Sequence, residues 1–327
     1  MPHEPQWNHD ADSAKRGPHP RTAPSGRVPQ WVLDQDARRA EAPVFGARAT
    51  APPKPSRRRK SRRGRGPRRA WNLWLVIALL VGLYYSPGVL ERHIMPAITP
   101  LVPGSNVPPR GVEAAADPLG RPPEGTGSGS FRLQESPDPA QDFVAYDPCR
   151  PVHYVIRPDN SPPGGEALIH QAVAEISSAS GLRFVYDGPT AEGPSKERET
   201  YQPERYGKRW APVLLTWSDP EETPDLAGDV GGLGGSDYAH VPGHPIVYVA
   251  GQVVLDAPGL APILGYPGGP ELLRAVVIHE LGHVLGLDHV DDPGQLMYGG
   301  SNDRAKLADG DRAGLALLGT GACVPQL

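Results

Sequence analysis

Three histidines and one glutamate in the C-terminal part of the chain have the residue types and spacing to hold a metal ion and activate water. Residues 272–289 read LLRAVVIHELGHVLGLDH and contain His279, His283 and His289. Glu280 follows the first histidine. Imidazole nitrogens are frequent zinc ligands, and three protein ligands leave the fourth corner of a tetrahedral ion free for water. The pattern is therefore typical of a catalytic rather than a structural zinc site.

The spacing predicts that two of these histidines lie side by side on a helix. Positions i and i+4 lie on nearly the same side of an α-helix, one turn apart, so His279 and His283 can reach one ion. Between Ala275 and Leu287, every residue apart from these histidines and Glu280 is apolar or glycine, which predicts a buried helix. Burying these polar groups is costly unless they bind a cation and order a water molecule.

A glycine and a third histidine complete the predicted site. Gly286 is suited to the left-handed conformation that ends helices, and the resulting turn would bring His289 to the same ion. We therefore expect His279, His283 and His289 to bind one catalytic Zn²⁺. Zinc lowers the pKa of bound water to about 7. Glu280 is placed to act as the general base, accepting that proton and passing it to the leaving amine.

The full pattern HExxHxxGxxH, with a methionine downstream, resembles the metzincin zinc peptidases and, within them, the matrixins. The residues that carry the resemblance are HELGHVLGLDH and QLMY at residues 295–298. By that resemblance Met297 lies beneath the zinc as an apolar floor in the Met-turn, and residues 307–319, LADGDRAGLALLG, form the closing helix. The similarity extends over roughly residues 147–320 and implies zinc endopeptidase activity on protein or peptide substrates.

The resemblance also implies a fold. We expect an α+β, zincin-like catalytic domain with a twisted mixed sheet, the active-site helix, and a small C-terminal lobe after Gly286 that contains the Met-turn and the last helix. In this family a substrate pairs with the edge strand before the active-site helix, which here falls in the region 231–249. A pocket beside the zinc takes the side chain after the scissile bond.

The chain departs from the matrixin pattern at several points. Val290 follows the third histidine where serine is usual, and Gly310 replaces one of two acidic residues in the last helix. A PRCG-type inhibitory segment and the family's structural-zinc and calcium segments are not recognisable. Three residues, Asp237, His240 and His244, could ligate a second ion, but scattered histidines in a glycine-rich loop are more often solvated. A second, structural ion therefore remains open.

Alternating apolar residues before the zinc motif predict strands interrupted by helices, an order that favours a mixed sheet covered by helices. Strand patterns occupy residues 152–156, 182–186, 213–217, 246–249 and 252–255. Residues 165–180 have the apolar spacing of an amphipathic helix, and Gly181 is placed to end it. The charged stretch at residues 188–211 is typical of a surface insertion.

The two cysteines of the chain, Cys149 and Cys323, stand near the two ends of the predicted domain, residues 147–327. Even numbers of cysteines in exported domains usually pair, so we predict a disulfide between them. Two unrelated thiols are one alternative. The other is that Cys149 acts as a thiol that blocks the zinc.

The N-terminal part of the chain lacks the composition of a packed domain. Residues 1–70 contain 17 Lys and Arg against 6 Asp and Glu, and prolines are concentrated before residue 165. Such a composition cannot bury enough apolar surface to offset the entropy of ordering, so residues 1–69 are predicted to be a disordered basic arm. Residues 91–146, rich in Pro, Gly, Ala and Asp, are typical of an extended linker.

Residues 70–90 contain no charged residue and predict one transmembrane helix. The run WNLWLVIALLVGLYY has aromatic residues at both ends, as membrane interfaces favour. The basic run RRRKSRRGRGPRR precedes it, so the positive-inside rule places the arm in the cytoplasm and the catalytic domain outside it. A cleaved signal peptide is the rival interpretation. Without interleaved aromatic residues, the basic run does not predict nucleic-acid binding.

Two classes of function follow from these patterns. The first is a membrane-anchored zinc endopeptidase that acts on extracytoplasmic proteins. The second is a non-catalytic surface-binding module that keeps zinc for stability alone. The presence of Glu280 favours the first class, because a structural zinc needs no base and usually has four protein ligands.

Overall fold

The computed structural model describes residues 106–300 and 303–327. Within these residues the chain forms eight strands, five α-helices and two short 3₁₀-helices. The strands are β1 (Arg132–Leu133), β2 (Ala145–Tyr146), β3 (Val152–Arg157), β4 (Phe184–Pro189), β5 (Val213–Ser218), β6 (Gly232–Ala239), β7 (Val247–Asp256) and β8 (Leu287–Asp288). The α-helices are α1 (Gly165–Ser180), α2 (Pro203–Tyr206), α3 (Ala257–Leu260), α4 (Gly269–Leu285) and α5 (Asp309–Leu318).

Six of these strands form a mixed sheet, as the order of the sequence patterns predicts. Strands β2, β3, β4, β5 and β7 run parallel, and β6 pairs antiparallel with β7. Since β6 pairs along nearly the whole of β7, from Ala239↔Val247 to Gly232↔Leu255, strands β2 and β5 share the other side of β7. This arrangement makes β6 the antiparallel edge strand of the sheet.

One face of the sheet packs against α1 and α4 and forms the main core. The apolar positions of α1 are buried, including Leu168, Ile169, Ala172, Val173 and Ile176. Burying such side chains stabilises the fold by about 1.5–3 kcal/mol each relative to exposure. The helix ends at Gly181, whose φ of 73° is left-handed, so the predicted helix 165–180 and its end are confirmed.

The chain between β4 and β5 is attached to the sheet and is more than a surface insertion. The Glu192 and Arg198 side chains are 9% and 5% exposed and pair at 2.9 Å. Arg198 also donates to the carbonyl oxygens of Gly251 and Pro212. A buried ion pair needs such additional hydrogen bonds to offset its desolvation, and here they anchor the insertion to the sheet.

The described part of the predicted linker, residues 106–146, packs on the domain and is not an extended stalk. Strand β1 pairs antiparallel with β8, and β2 pairs parallel with β7. The backbone N–H of Gly111 donates to the carbonyl oxygen of Leu327 at 2.8 Å. The Pro- and Gly-rich composition wrongly predicts a linker, because strands as short as β1 and β2 show no apolar pattern in the sequence. They form through pairing with strands elsewhere in the chain. The predicted domain start at residue 147 is therefore too late.

A disulfide joins Cys149 and Cys323, which are 174 positions apart in sequence. This is the pair that the cysteine positions predict. Both thiols of the chain are thereby used, so Cys149 is not available to block a metal.

The predicted arm, residues 1–69, and the predicted span, residues 70–90, lie outside the residues that the structure describes. None of the helices within 106–300 and 303–327 is long and apolar enough to cross a bilayer.

Candidate metal centre

Helix α4 carries the first two histidines of the zinc motif. Its buried residues lie on almost all sides, and Leu273, Val277, Ile278, Leu281 and Val284 are completely inaccessible to solvent. The helix is thus the buried element that the sequence predicts. His279 and His283 are half-buried, so their side of the helix opens to solvent.

The turn after α4 requires glycine. Gly286 has a φ of 118°, which L-residues with a side chain rarely adopt, and a Cβ there would lie 3.1 Å from the carbonyl oxygen of Val144. Its N–H donates to the carbonyl oxygens of Gly282 and His283, which satisfies two backbone acceptors at the helix end. The chain then reverses direction through β8, which places His289 beside His279 and His283.

The three histidines converge on one point. The Nε2 atoms of His279 and His289 are 3.0 Å apart, those of His279 and His283 are 3.2 Å apart, and those of His283 and His289 are 3.1 Å apart. Among the described residues, no aspartate, glutamate, cysteine or further histidine joins this group. The predicted ligand set is brought together, with three protein donors.

The hydrogen bonds of the outer nitrogens determine which nitrogen faces the shared point. His279 Nδ1 is 2.8 Å from the carbonyl oxygen of Leu296, and His283 Nδ1 is 2.9 Å from that of Leu287. A carbonyl only accepts, so each Nδ1 carries the proton and each Nε2 presents a lone pair. Such outer hydrogen bonds are the usual way in which proteins orient a metal-binding imidazole.

Burial keeps these imidazoles neutral. It lowers the pKa of His279 to about 4, with a further contribution from His289. Burial and the two neighbouring histidines lower the pKa of His283 well below its usual value, and burial lowers that of His289. A metal ligand must be unprotonated, so the surroundings favour the form that binds an ion.

The site fits a zinc ion. Tetrahedral zinc with bonds of about 2.0–2.1 Å to nitrogen separates two ligand nitrogens by about 3.3–3.4 Å, and the observed Nε2 separations are 3.0–3.2 Å. Three lone pairs so close together repel one another unless a cation lies between them. The donor set and its spacing therefore support zinc, with His279, His283 and His289 as the residues that would hold it.

Glu280 is buried beside this group, with 7% of its surface exposed. Two glycines of the edge strand β6 make room for it: a Cβ at Gly232 would lie 2.8 Å from Glu280 Cγ, and one at Gly234 would overlap the Glu280 backbone. Burial raises the pKa of Glu280 to about 8. A buried carboxyl with a strongly shifted pKa in a cleft is a common mark of a functional site.

The segment that carries Met297 packs against α4. Met297 is 2% exposed, and a Cβ at Gly282 would lie 2.6 Å from its sulfur, so the methionine packs directly under α4. The carboxylate of Asp311 accepts hydrogen bonds from the N–H groups of Leu296 and Met297, at 2.7 and 3.1 Å. Asp311 thus fixes the peptide whose carbonyl oxygen orients His279.

The two departures from the matrixin pattern have structural explanations. Val290 is 8% exposed and acts through its backbone, because its N–H donates to the carbonyl oxygen of Met297 at 2.9 Å. A side chain at Gly310 would overlap the carbonyl oxygen of Ser130. The second acidic residue is therefore incompatible with the way residues 126–131 pack on α5.

The structure does not assemble the candidate second ion site. Asp237, His240 and His244 do not form a metal-binding group within the part of the chain that the structure describes. A group of Asp147 with the two cysteines does lie close together, but its sulfurs are bonded to each other in the disulfide.

The sequence patterns missed the contribution of residues 130–134 to the site. Strand β1 pairs with β8 between Gly286 and His289, through Arg132↔Asp288 and Leu133↔Leu287. The only local signal was the alternation of apolar and polar residues in FRLQ, which is too short to identify a strand.

Comparisons with known proteins agree with the zinc motif. The Matrixin family model (Peptidase_M10) matches residues 267–318, which comprise α4, the turn, the Met-turn and α5. Comparison with curated proteins gave no match. Among solved structures, archaemetzincin from Methanopyrus kandleri is similar with 17% identity, covering 49% of this chain and 84% of that chain, at a TM-score of 0.26. The family match and the histidine triad support a metzincin-like zinc protease and confirm the predicted resemblance.

Proposed function

We propose that the chain is a zinc-dependent endopeptidase in which Glu280 is the general base. The observation that carries this proposal is the convergence of three Nε2 lone pairs within 3.2 Å of one another. When bound, zinc would supply an acidified water molecule and would polarise the carbonyl of the scissile peptide bond.

The protein's own groups would move the protons. Glu280 follows a metal-ligating histidine directly, where nearby positive charge favours its ionised form. Its carboxylate would accept a proton from the attacking water and donate it to the leaving amine. Burial of Glu280 supports this role, because a carboxyl whose pKa is raised toward neutrality can both accept and release a proton at physiological pH.

The edge strand β6 is the proposed binding site for the substrate backbone. One side of β6 pairs with β7, and among the described strands none pairs with its other side. The outer edge of a strand can offer backbone donors and acceptors to an extended peptide. Because Gly232 and Gly234 contact Glu280, a peptide along this edge would pass close to the base and the histidines.

We propose that the peptidase is a single-pass protein of the cell membrane that acts on extracytoplasmic proteins. The apolar residues 70–90 would span the bilayer, and the preceding basic run would keep the N-terminus in the cytoplasm. The disulfide is consistent with an oxidising compartment.

The alternative function is a non-catalytic binding module that is stabilised by zinc. Its structural zinc would be expected to have a fourth protein ligand, whereas the group contains three histidines among the described residues. A buried glutamate would also cost stability in such a module with no return in activity.

The test compares the full chain with its Glu280→Ala variant, both purified in detergent. We expect one zinc ion in each protein, chelator-sensitive cleavage of labelled casein by the first, and a loss of cleavage in the variant of about 10²–10⁴-fold. Equal cleavage by the two zinc-loaded proteins would remove Glu280 from the role of base. Zinc binding without cleavage of casein or of a broad peptide library would favour the binding module.

A further inference from the structure

Gln134 contacts the end of the active-site helix at three carbonyl groups. Its backbone N–H donates to the carbonyl oxygen of Gly286 at 2.8 Å. Its side-chain Nε2 donates to the carbonyl oxygens of His283, at 3.0 Å, and Leu287, at 3.2 Å. The carbonyl oxygen of His283 also accepts from the N–H of Gly286, so Gln134 adds hydrogen bonds to the end of α4 and to the turn that leads to the third histidine.

The amide of Gln134 is itself held in one orientation. Its Oε1 accepts a hydrogen bond from the hydroxyl of Tyr248 on β7, at 3.0 Å. Both N–H donors of the amide are used by the two carbonyls, so a flip of the amide would lose three hydrogen bonds. Gln134 therefore links the central sheet to the turn as a rigid bridge.

One of these carbonyls also orients a histidine of the triad. The carbonyl oxygen of Leu287 accepts from His283 Nδ1 at 2.9 Å as well as from Gln134. Its position determines the direction in which His283 presents its Nε2 lone pair. Leu287 is two residues before His289 and pairs with Leu133 in the two-stranded sheet, so the same contacts also set the path of the third histidine.

We propose that Gln134 is a positioning residue of the zinc site, acting through the Leu287 carbonyl on His283 and through the turn on His289. This inference rests on the proposed zinc function. Gln134 lies about 150 residues before its partners His283 and Leu287 in the sequence. The proposal therefore makes the segment around Gln134 a part of the metal centre. Partners of metal-ligating histidines typically change metal affinity by about 10–100-fold when they are removed.

Gln141 offers a matched control in the same segment. Its Nε2 donates to the carbonyl oxygens of Phe143 and Ile246, at 2.7 and 2.8 Å, and its Oε1 accepts from the N–H of Ile246 at 2.8 Å. It therefore makes as many hydrogen bonds through its side chain as Gln134 does. None of its partners is a residue of the zinc motif or of the turn that follows α4.

The experiment measures the zinc affinity of the full chain by competition with a chelator, together with the free energy of unfolding of the metal-free protein. The variants are Gln134→Met and Gln141→Met, which keep the side-chain length and remove the polar groups. We expect similar losses of stability in both variants. Zinc affinity should fall by about 10–100-fold in Gln134→Met and should stay close to that of the unchanged protein in Gln141→Met.

A milder variant keeps the test decisive if Gln134→Met does not fold. Tyr248→Phe removes only the hydroxyl that orients the Gln134 amide, and it should lower zinc affinity by a smaller factor in the same direction. Unchanged affinity in Gln134→Met, or in Tyr248→Phe if Gln134→Met does not fold, would overturn the positioning role alone, and so would an equal loss in Gln141→Met. Failure of the unchanged protein to bind zinc would instead overturn the proposed function.

Discussion

Two buried glutamates in different parts of the molecule have opposite surroundings. Glu192 is 8% exposed and accepts hydrogen bonds from Arg198, Gln202 and Tyr206. Although burial favours its neutral form, these partners hold the pKa of Glu192 below its usual value. Glu280 is 7% exposed, and burial alone raises its pKa to about 8. The first carboxylate is satisfied by its neighbours and stabilises the fold, whereas burial of the second favours its neutral form.

The difference shows how burial can be interpreted in this molecule. A buried charge with several partners anchors a structural element, in this case the insertion between β4 and β5. A buried carboxyl with a raised pKa beside three converging imidazoles is a candidate functional group. Exchanging or removing the charges at the two positions should therefore affect different properties.

The largest expected effect is on cleavage, from Glu280→Gln. This variant keeps the shape of the side chain and removes the base, so kcat should fall by about 10²–10⁴-fold. The metal-free protein should be at least as stable as the unchanged one, because an unfavourable buried carboxyl has been neutralised. Casein cleavage and urea unfolding measure the two properties. A variant that cleaves normally but unfolds more easily would reverse the roles assigned to the two glutamates.

The next effect is on stability, from Glu192→Ala. Removing one partner of a buried pair leaves the Arg198 guanidinium buried without its carboxylate, which costs about 3–5 kcal/mol. Urea unfolding of the metal-free chain should show this loss, while zinc affinity stays unchanged because none of the partners of Glu192 and Arg198 belongs to the zinc motif. A large loss of zinc affinity with little loss of stability would contradict the separate roles of the two glutamates.

The disulfide should contribute a comparable or smaller stabilisation, also without an effect on the metal. Removing a native disulfide typically costs about 2–5 kcal/mol, and this one closes a segment of 174 positions. The double variant Cys149→Ser with Cys323→Ser should therefore unfold at lower urea concentration and bind zinc as before. If the variant folded normally yet lost zinc, a role for the sulfurs in the metal site would have to be considered.

The smallest effect is a pH dependence that Glu192 introduces. Its pKa is lower in the folded chain than in the unfolded chain, so its stabilisation is fully present above the unfolded value of about 4.3 and is lost as pH falls through the folded value. In Glu192→Gln the stability of the metal-free chain should change less as pH falls below about 4.3. Glu204→Gln, an exposed position on α2, is the control and should leave the profile unchanged. Identical profiles for all three proteins would remove Glu192 as the cause.

The sequence predicted the parts of the site that depend on local spacing. The i, i+4 pair on α4, the glycine at the turn and the third histidine lie within eleven positions, so helix geometry and a glycine turn bring them together. The mixed sheet and the pairing of the two cysteines were also accessible, because apolar alternation and an even cysteine count are strong signals.

The remaining features depend on contacts between distant parts of the chain. Gln134 lies in a segment whose composition resembles a linker, and its partners are some 150 residues away. The insertion between β4 and β5 looked like solvated surface because its charges are many, and only their pairing shows that Glu192 and Arg198 are buried. Neither burial nor partner choice can be derived from composition, because both are set by long-range packing.

The central claim is that three imidazoles bind one zinc ion and leave one position free for water. X-ray absorption spectroscopy at the zinc edge on the full chain tests it most directly. We predict a first shell of three imidazole nitrogens at about 2.0–2.1 Å and one further light atom from solvent, with a change in that fourth position when a hydroxamate inhibitor is added. Sulfur in this shell, or fewer than three imidazoles, would contradict the account. So would a shell that does not change with the inhibitor because protein atoms fill all four positions.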